Sequence, residues 1–172
     1  MTRKEKATLT HLLQLGAKRV IPSHTQATNH EEFWKWQGNA CRQTAFWVAF
    51  YLDKCYPGRK IDLYEGLFHD EVLGWHEHAY TYMWALDDQP GLLVDVSRIT
   101  YPTIVDFRNE LPDDLSEYFQ PHVDWEVKHV KSVQVDWEKM LKDPEYYTGD
   151  TYEKFCQEVT DVVEAWGKSK NR

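Results

Sequence analysis

From Gln37 to Leu52 the chain reads Gln-Gly-Asn-Ala-Cys-Arg-Gln-Thr-Ala-Phe-Trp-Val-Ala-Phe-Tyr-Leu. A polar, glycine-bearing turn runs into Cys41, and the residues from Ala45 to Leu52 carry no charge. A surface helix shows an apolar stripe, whereas this segment is apolar nearly all round. That pattern predicts a helix buried in the middle of a domain. Tyr56-Pro57-Gly58 ends it firmly. Cys41 then falls in the first helical turn, where unpaired N–H groups and the positive end of the helix dipole favour a thiolate. The alternative for a free cysteine so placed is an inert small hydrophobe.

The 172 residues are enough for one domain with a real core, so residues 1–172 are read as a single domain. Hydrophobic residues make up 42% and charged residues 28%, a globular balance. The net charge of -8 argues against a protein that works by neutralising nucleic acid phosphate. No apolar run approaches the roughly 20 residues of a membrane span, so no membrane partner is expected. Cys41, Cys55 and Cys156 show no framework spacing and no Cys-x-x-Cys pair. Together with a charged start, Met1 to Lys6, this predicts reduced thiols in a cytoplasmic protein.

Along the chain, Leu9, Leu12 and Leu13 predict a first helix over Thr2 to Gly16, with Gly16 as its stop. Ala17 to Asn29 reads as a connection, and Asn29 as the cap of a short helix. After Gly58 the period changes to two. Lys60–Phe68 and Trp75–Leu86 read as strands, with a turn at Asp87–Gly91 and a short apolar strand at Leu92–Val96 closing a hairpin. Pro102–Gln120 reads as loops with a short helix after Pro112. Trp125–Val135 alternates like a strand, with a break in phase at Val130, and Asp136–Leu141 reads as a helical turn. Asp150-Thr151-Tyr152-Glu153 resembles a capping box opening a last helix, in which Phe155, Val159, Val162, Val163 and Trp166 share one face.

Three residues line up in chain order: Cys41 opening the buried helix, His78 in one strand, and Asp95 in the next. A cysteine nucleophile needs a base to hold it as a thiolate, and the base needs a third group to fix its orientation. Gln37-Gly38 before Cys41, His78-Ala79 heading an apolar strand, and Leu92-Leu93-Val94-Asp95 after it resemble the corresponding segments of the papain-like cysteine hydrolases. The aspartate in third place is closer to the transglutaminase-like and NlpC/P60-like branch. The resemblance spans about residues 37–97. It implies an α+β fold in which the cysteine-bearing helix packs on an antiparallel sheet, with extra helices at both termini. It implies acyl transfer through a thioester at an amide or isopeptide-type bond of a protein or peptide, with no cofactor. In that reading Cys41 attacks, His78 is base then acid, and Asp95 orients His78. Gln37 stands closer to the cysteine than its papain counterpart, so Asn39 competes with it as the oxyanion donor, beside the Cys41 backbone N–H. Arg42 and Gln43 stand where papains have small residues. Trp36, Trp75 and Tyr80 are candidates for a substrate cleft.

The same stretch permits two other functions. His69, His76 and His78, with Asp70 and Glu77 nearby, could serve a metal-dependent hydrolase. His76 and His78 would share a strand face, with Glu77 on the other. A papain-like core could also be catalytically silent and act as a binding or inhibitor protein. Cys55 and Cys156 are expected to be inert.

Overall fold

The computed structural model describes residues 1–20, 41–71, 74–97, 102–108, 111–119 and 126–135, together with Gln157, Asp161 and Glu164. The elements are helix α1 (Arg3–Val20), helix α2 (Cys41–Cys55), strands β1 (Ile61–Asp70), β2 (Gly74–Met83), β3 (Gly91–Asp95) and β4 (Thr103–Phe107), the short helix α3 (Ser116–Phe119), and strand β5 (Val127–Val135). The strands form one antiparallel sheet in the order β4-β3-β2-β1-β5, so the fold is α+β. Among the described residues no helix is long and apolar enough to cross a membrane.

Helix α2 is buried as its composition requires. Every residue from Thr44 to Leu52 except Phe50 is buried. It lies on the sheet face that carries Leu63, Ala79, Met83, Leu92 and Val94, and α1 adds Leu9, Leu13 and Ala17. The Thr81 hydroxyl donates to the Ala45 carbonyl at 2.7 Å, pinning α2 to β2. The opposite face holds an aromatic core: Phe68, Tyr80, Tyr82, Phe107 and Phe119, with Leu93, Leu115 and Val127.

Helix α1 opens on a capping box. The Glu5 backbone N–H donates to Thr2 Oγ1 at 3.2 Å, and the Thr2 backbone N–H donates to Glu5 Oε2 at 2.7 Å. Gly16 does not stop the helix, which continues to Val20. Gly16 instead lets α2 come close: a β-carbon there would lie 2.6 Å from Trp47 Cε2. The Trp47 indole N–H donates to the Leu13 carbonyl at 2.9 Å. Trp47 is fully buried and cannot retreat. Gly16→Ala is therefore expected to lower stability by about 1–3 kcal/mol, the usual cost of overpacking, even though alanine is the better helix former. A denaturant midpoint equal to wild type would show that the two helices can separate freely.

Strand β4 occupies part of the stretch expected to be loops. Its polar Asp106 hides the strand pattern, and this residue is taken up by Lys6 Nζ at 2.7 Å. The phase break at Val130 is a β-bulge: Leu67 pairs with Lys131 and Phe68 with His129, leaving Val130 without a partner in the register. The turn between β2 and β3 is held by Arg59, whose guanidinium donates to the Trp84 and Pro90 carbonyls and to Gln89. In the expected last helix, Gln157, Asp161 and Glu164 are helical and exposed. Its apolar face, the cap at Asn29 and the turn at Asp136–Leu141 lie outside the described residues.

Candidate active site

Cys41 is the first residue of α2 and half-buried. His78 is at the middle of β2 and Asp95 at the end of β3. Alternation along β2 puts Ala79, Thr81 and Met83 towards α2, so His78 rises from the far face, with the aromatic core. Phe68 and Phe119 stand edge-on to its ring, with centroids 5.6 and 6.2 Å away. The thiol still reaches it. The ladder between β2 and β3 covers only Thr81–Met83 and Leu92–Val94. Beyond Thr81 no described strand pairs with this edge of β2, and Cys41, at the N-terminus of α2, meets His78 and Ala79 there. The sulfur lies beside His78 and the Ala79 backbone N–H, both of which favour its thiolate form.

His78 is 5% exposed and Asp95 3%. The ring Nε2–H donates to Asp95 Oδ2 at 2.6 Å, which leaves Nδ1 for the thiol. Asp95 is held in turn by its other oxygen. Oδ1 accepts from the Ser97 backbone N–H at 2.9 Å and from the Ser97 hydroxyl at 2.6 Å. These bonds fix the carboxylate plane and hence the ring.

The electrostatics follow from this chain of contacts. Burial alone would push the Cys41 thiol up and the His78 imidazole down. The hydrogen bond and charge of His78, with the Ala79 N–H, overcome burial and hold the thiol below its ordinary value. The Asp95 charge and hydrogen bond, with the contact to Cys41, raise His78 to about 9. Both shifts favour a thiolate beside an imidazolium at neutral pH.

A cavity of about 210 Å³ opens over this pair and is lined, beyond Cys41 and His78, by Arg42, Gln43, Glu65, Glu77 and Ala79. Arg42 Nε and Nη2 donate to the two oxygens of Glu65, the second bond at 3.3 Å, and Nη2 also donates to Glu77 Oε2 at 2.9 Å. Sequence reasoning passed over Glu65, Ser97 and this use of Arg42. The Asp-x-Ser pattern at residues 95–97 was a usable sign of a turn that ties down the aspartate. The Arg42–Glu65 pairing spans 23 positions and carries no local signal.

The other expected site residues divide. Gln37, Asn39 and Trp36 lie outside the described residues. Trp75 is 60% exposed at the start of β2 and meets His69 edge-to-face, with centroids 4.9 Å apart, away from the described lining of the cavity. Tyr80 is buried in the aromatic core, where its hydroxyl donates to Ser132 Oγ. Neither forms a wall of this cavity. The three histidines do not converge. His69 pairs with Trp75 in the ladder and projects towards the α2 face, opposite to His76 and His78. His76 Nδ1 bonds to the Gly74 carbonyl at 3.0 Å, and Nε2 lies 3.7 Å from Asp70. Among the described residues no group of three or more His, Cys, Asp or Glu side chains could hold a metal ion. The alternative metal cluster is therefore not formed by these residues: strand alternation sets His69 on the face opposite to His76 and His78.

No protein-family model, no curated protein and no solved structure matches this chain.

Proposed function

We propose that this chain is a thiol hydrolase or acyltransferase with a papain-like core, of the transglutaminase-like or NlpC/P60-like kind, acting on an amide or isopeptide-type bond of a protein or peptide. The observation that carries the reading is the Cys41 thiol set beside His78, whose ring is bonded to the buried Asp95, at the floor of a polar cavity. The order helix-borne cysteine, strand histidine, next-strand aspartate supports the papain-like core.

In the first half-reaction the Cys41 thiolate attacks the substrate carbonyl carbon and forms a C–S bond. The oxyanion faces the start of α2, where the Cys41 backbone N–H has no acceptor within the helix. The His78 imidazolium delivers its proton to the leaving nitrogen as the C–N bond breaks, giving an amine and a thioester. Neutral His78 then takes a proton from water, for hydrolysis, or from an incoming amine, for transfer. That nucleophile displaces the sulfur, and the thiolate–imidazolium pair returns. Asp95 holds the ring in line throughout.

The test is brief iodoacetamide treatment at a series of pH values, with mass spectrometry of all three cysteines. Cys41 is expected to label at least about tenfold faster than Cys55 or Cys156 near pH 6, because the contact with His78 and the Ala79 N–H holds its thiol below the ordinary value. Under p-nitrophenyl acetate, Cys41 is expected to acquire an acetyl group, and EDTA should change neither result. Equal labelling of the three thiols would favour a catalytically silent binding protein.

A further inference from the structure

We propose that the Arg42–Glu65 ion pair is the positioning element that seats the Cys41 sulfur between His78 and the Ala79 N–H, a role that rests on the thiol-enzyme reading above. Cys41 and Arg42 are consecutive residues of the first turn of α2, the end of a helix and therefore its most easily frayed part. Thr81 ties α2 to the sheet at Ala45, one turn further in. Arg42 supplies the anchor of the turn that bears the sulfur. Its two-pronged contact reaches Glu65 on β1, and Glu65 pairs in the sheet with Ala79, the residue whose N–H meets the thiol. One rung of the sheet thus presents Glu65 to grip the helix and Ala79 to receive the sulfur. The Glu65 side chain is 19% exposed and the Arg42 side chain 41%, so solvent reaches the pair mainly from the arginine side.

Geometry, more than charge, is what this pair contributes. Two carboxylates, Glu65 and Glu77, surround the single guanidinium and offset much of its charge, beside its direct electrostatic interaction with Cys41. A planar fork fixes both distance and angle, which a lysine ammonium does not.

The experiment measures the pH dependence of Cys41 alkylation in Arg42→Met, Arg42→Lys, Glu65→Gln and the Arg42→Met/Glu65→Gln double variant, each checked by circular dichroism and melting temperature. Either single loss is expected to slow Cys41 labelling near pH 6 about tenfold and move its pH profile upward, with Cys55 unchanged. The double variant is expected to be no slower than the singles, because they remove one unit. Arg42→Lys is expected to resemble Arg42→Met. Wild-type behaviour in Arg42→Lys would overturn the proposal in favour of simple charge, and unchanged profiles throughout would reduce the pair to a surface contact. Should Arg42→Met fail to fold, the isosteric Glu65→Gln decides alone. If wild-type Cys41 labels no faster than Cys55, the thiol-enzyme reading itself falls and the positioning role with it. Fast wild-type labelling with indifferent variants removes only the positioning role.

Discussion

Replacing His78 with glutamine is expected to slow the alkylation of Cys41 about ten- to hundredfold near pH 6. In the wild-type protein burial works against the thiolate, and the hydrogen bond and charge of His78 outweigh it. Glutamine can still donate to Asp95 but brings no charge. Burial and the nearby Asp95 carboxylate, both of which raise the thiol, then act unopposed except for the Ala79 N–H. The direction reverses at high pH. A thiolate of higher pKa is the stronger nucleophile, so once both proteins are ionised the variant should react at least as fast. The two rate profiles are therefore expected to cross. A variant that labels like wild type at every pH would take His78 out of the site.

Asp95→Asn is expected to lower unfolding free energy by about 3 kcal/mol near pH 6, with a much smaller loss near pH 10. Folding raises His78 from 6.5 to about 9, with the Asp95 charge as the leading cause that raises it. A raised base stabilises the folded state fully below its unfolded pKa. That contribution is lost as the pH climbs from about 6.5 through about 9. The wild-type advantage should follow the same course, and urea unfolding at the two pH values measures it. An equal loss at both would mean that the buried ring is neutral in the native protein.

How much of this was legible in the residues depended on whether the signal was local. The uncharged run Ala45–Leu52 announced a buried helix because only a helix enclosed on all sides tolerates it. The period-two stretches after Gly58 located β1, β2 and β3 to within a few residues. The break in phase at Val130 was already the signature of the bulge, read without its cause. What failed depended on distant partners. Gly16 read as a helix stop because glycine usually marks an end, and only the Trp47 indole explains its place inside α1. Strand β4 was hidden by Asp106, whose cationic partner Lys6 lies in the first helix. Tyr80 and Trp75 both looked like cleft aromatics. Register sent one into the aromatic core and left the other on the surface. Cys41, His78 and Asp95 could be named because their chemistry and order are local facts, whereas Arg42 with Glu65 could not.

Cys41 arrives with the helical layer on one side of the sheet, and His78 belongs to the aromatic layer on the other. The two meet only where β2 and β3 part company. An acidic thiol is thus a property of the docked layers and of neither layer alone. In a nascent or partly opened chain the same cysteine has no imidazolium beside it and behaves as an ordinary thiol, slow towards electrophiles and oxidants at neutral pH. Loss of fast labelling should accordingly precede global unfolding whenever α2 lifts from the sheet, which makes the rate at this one atom a local gauge of that docking.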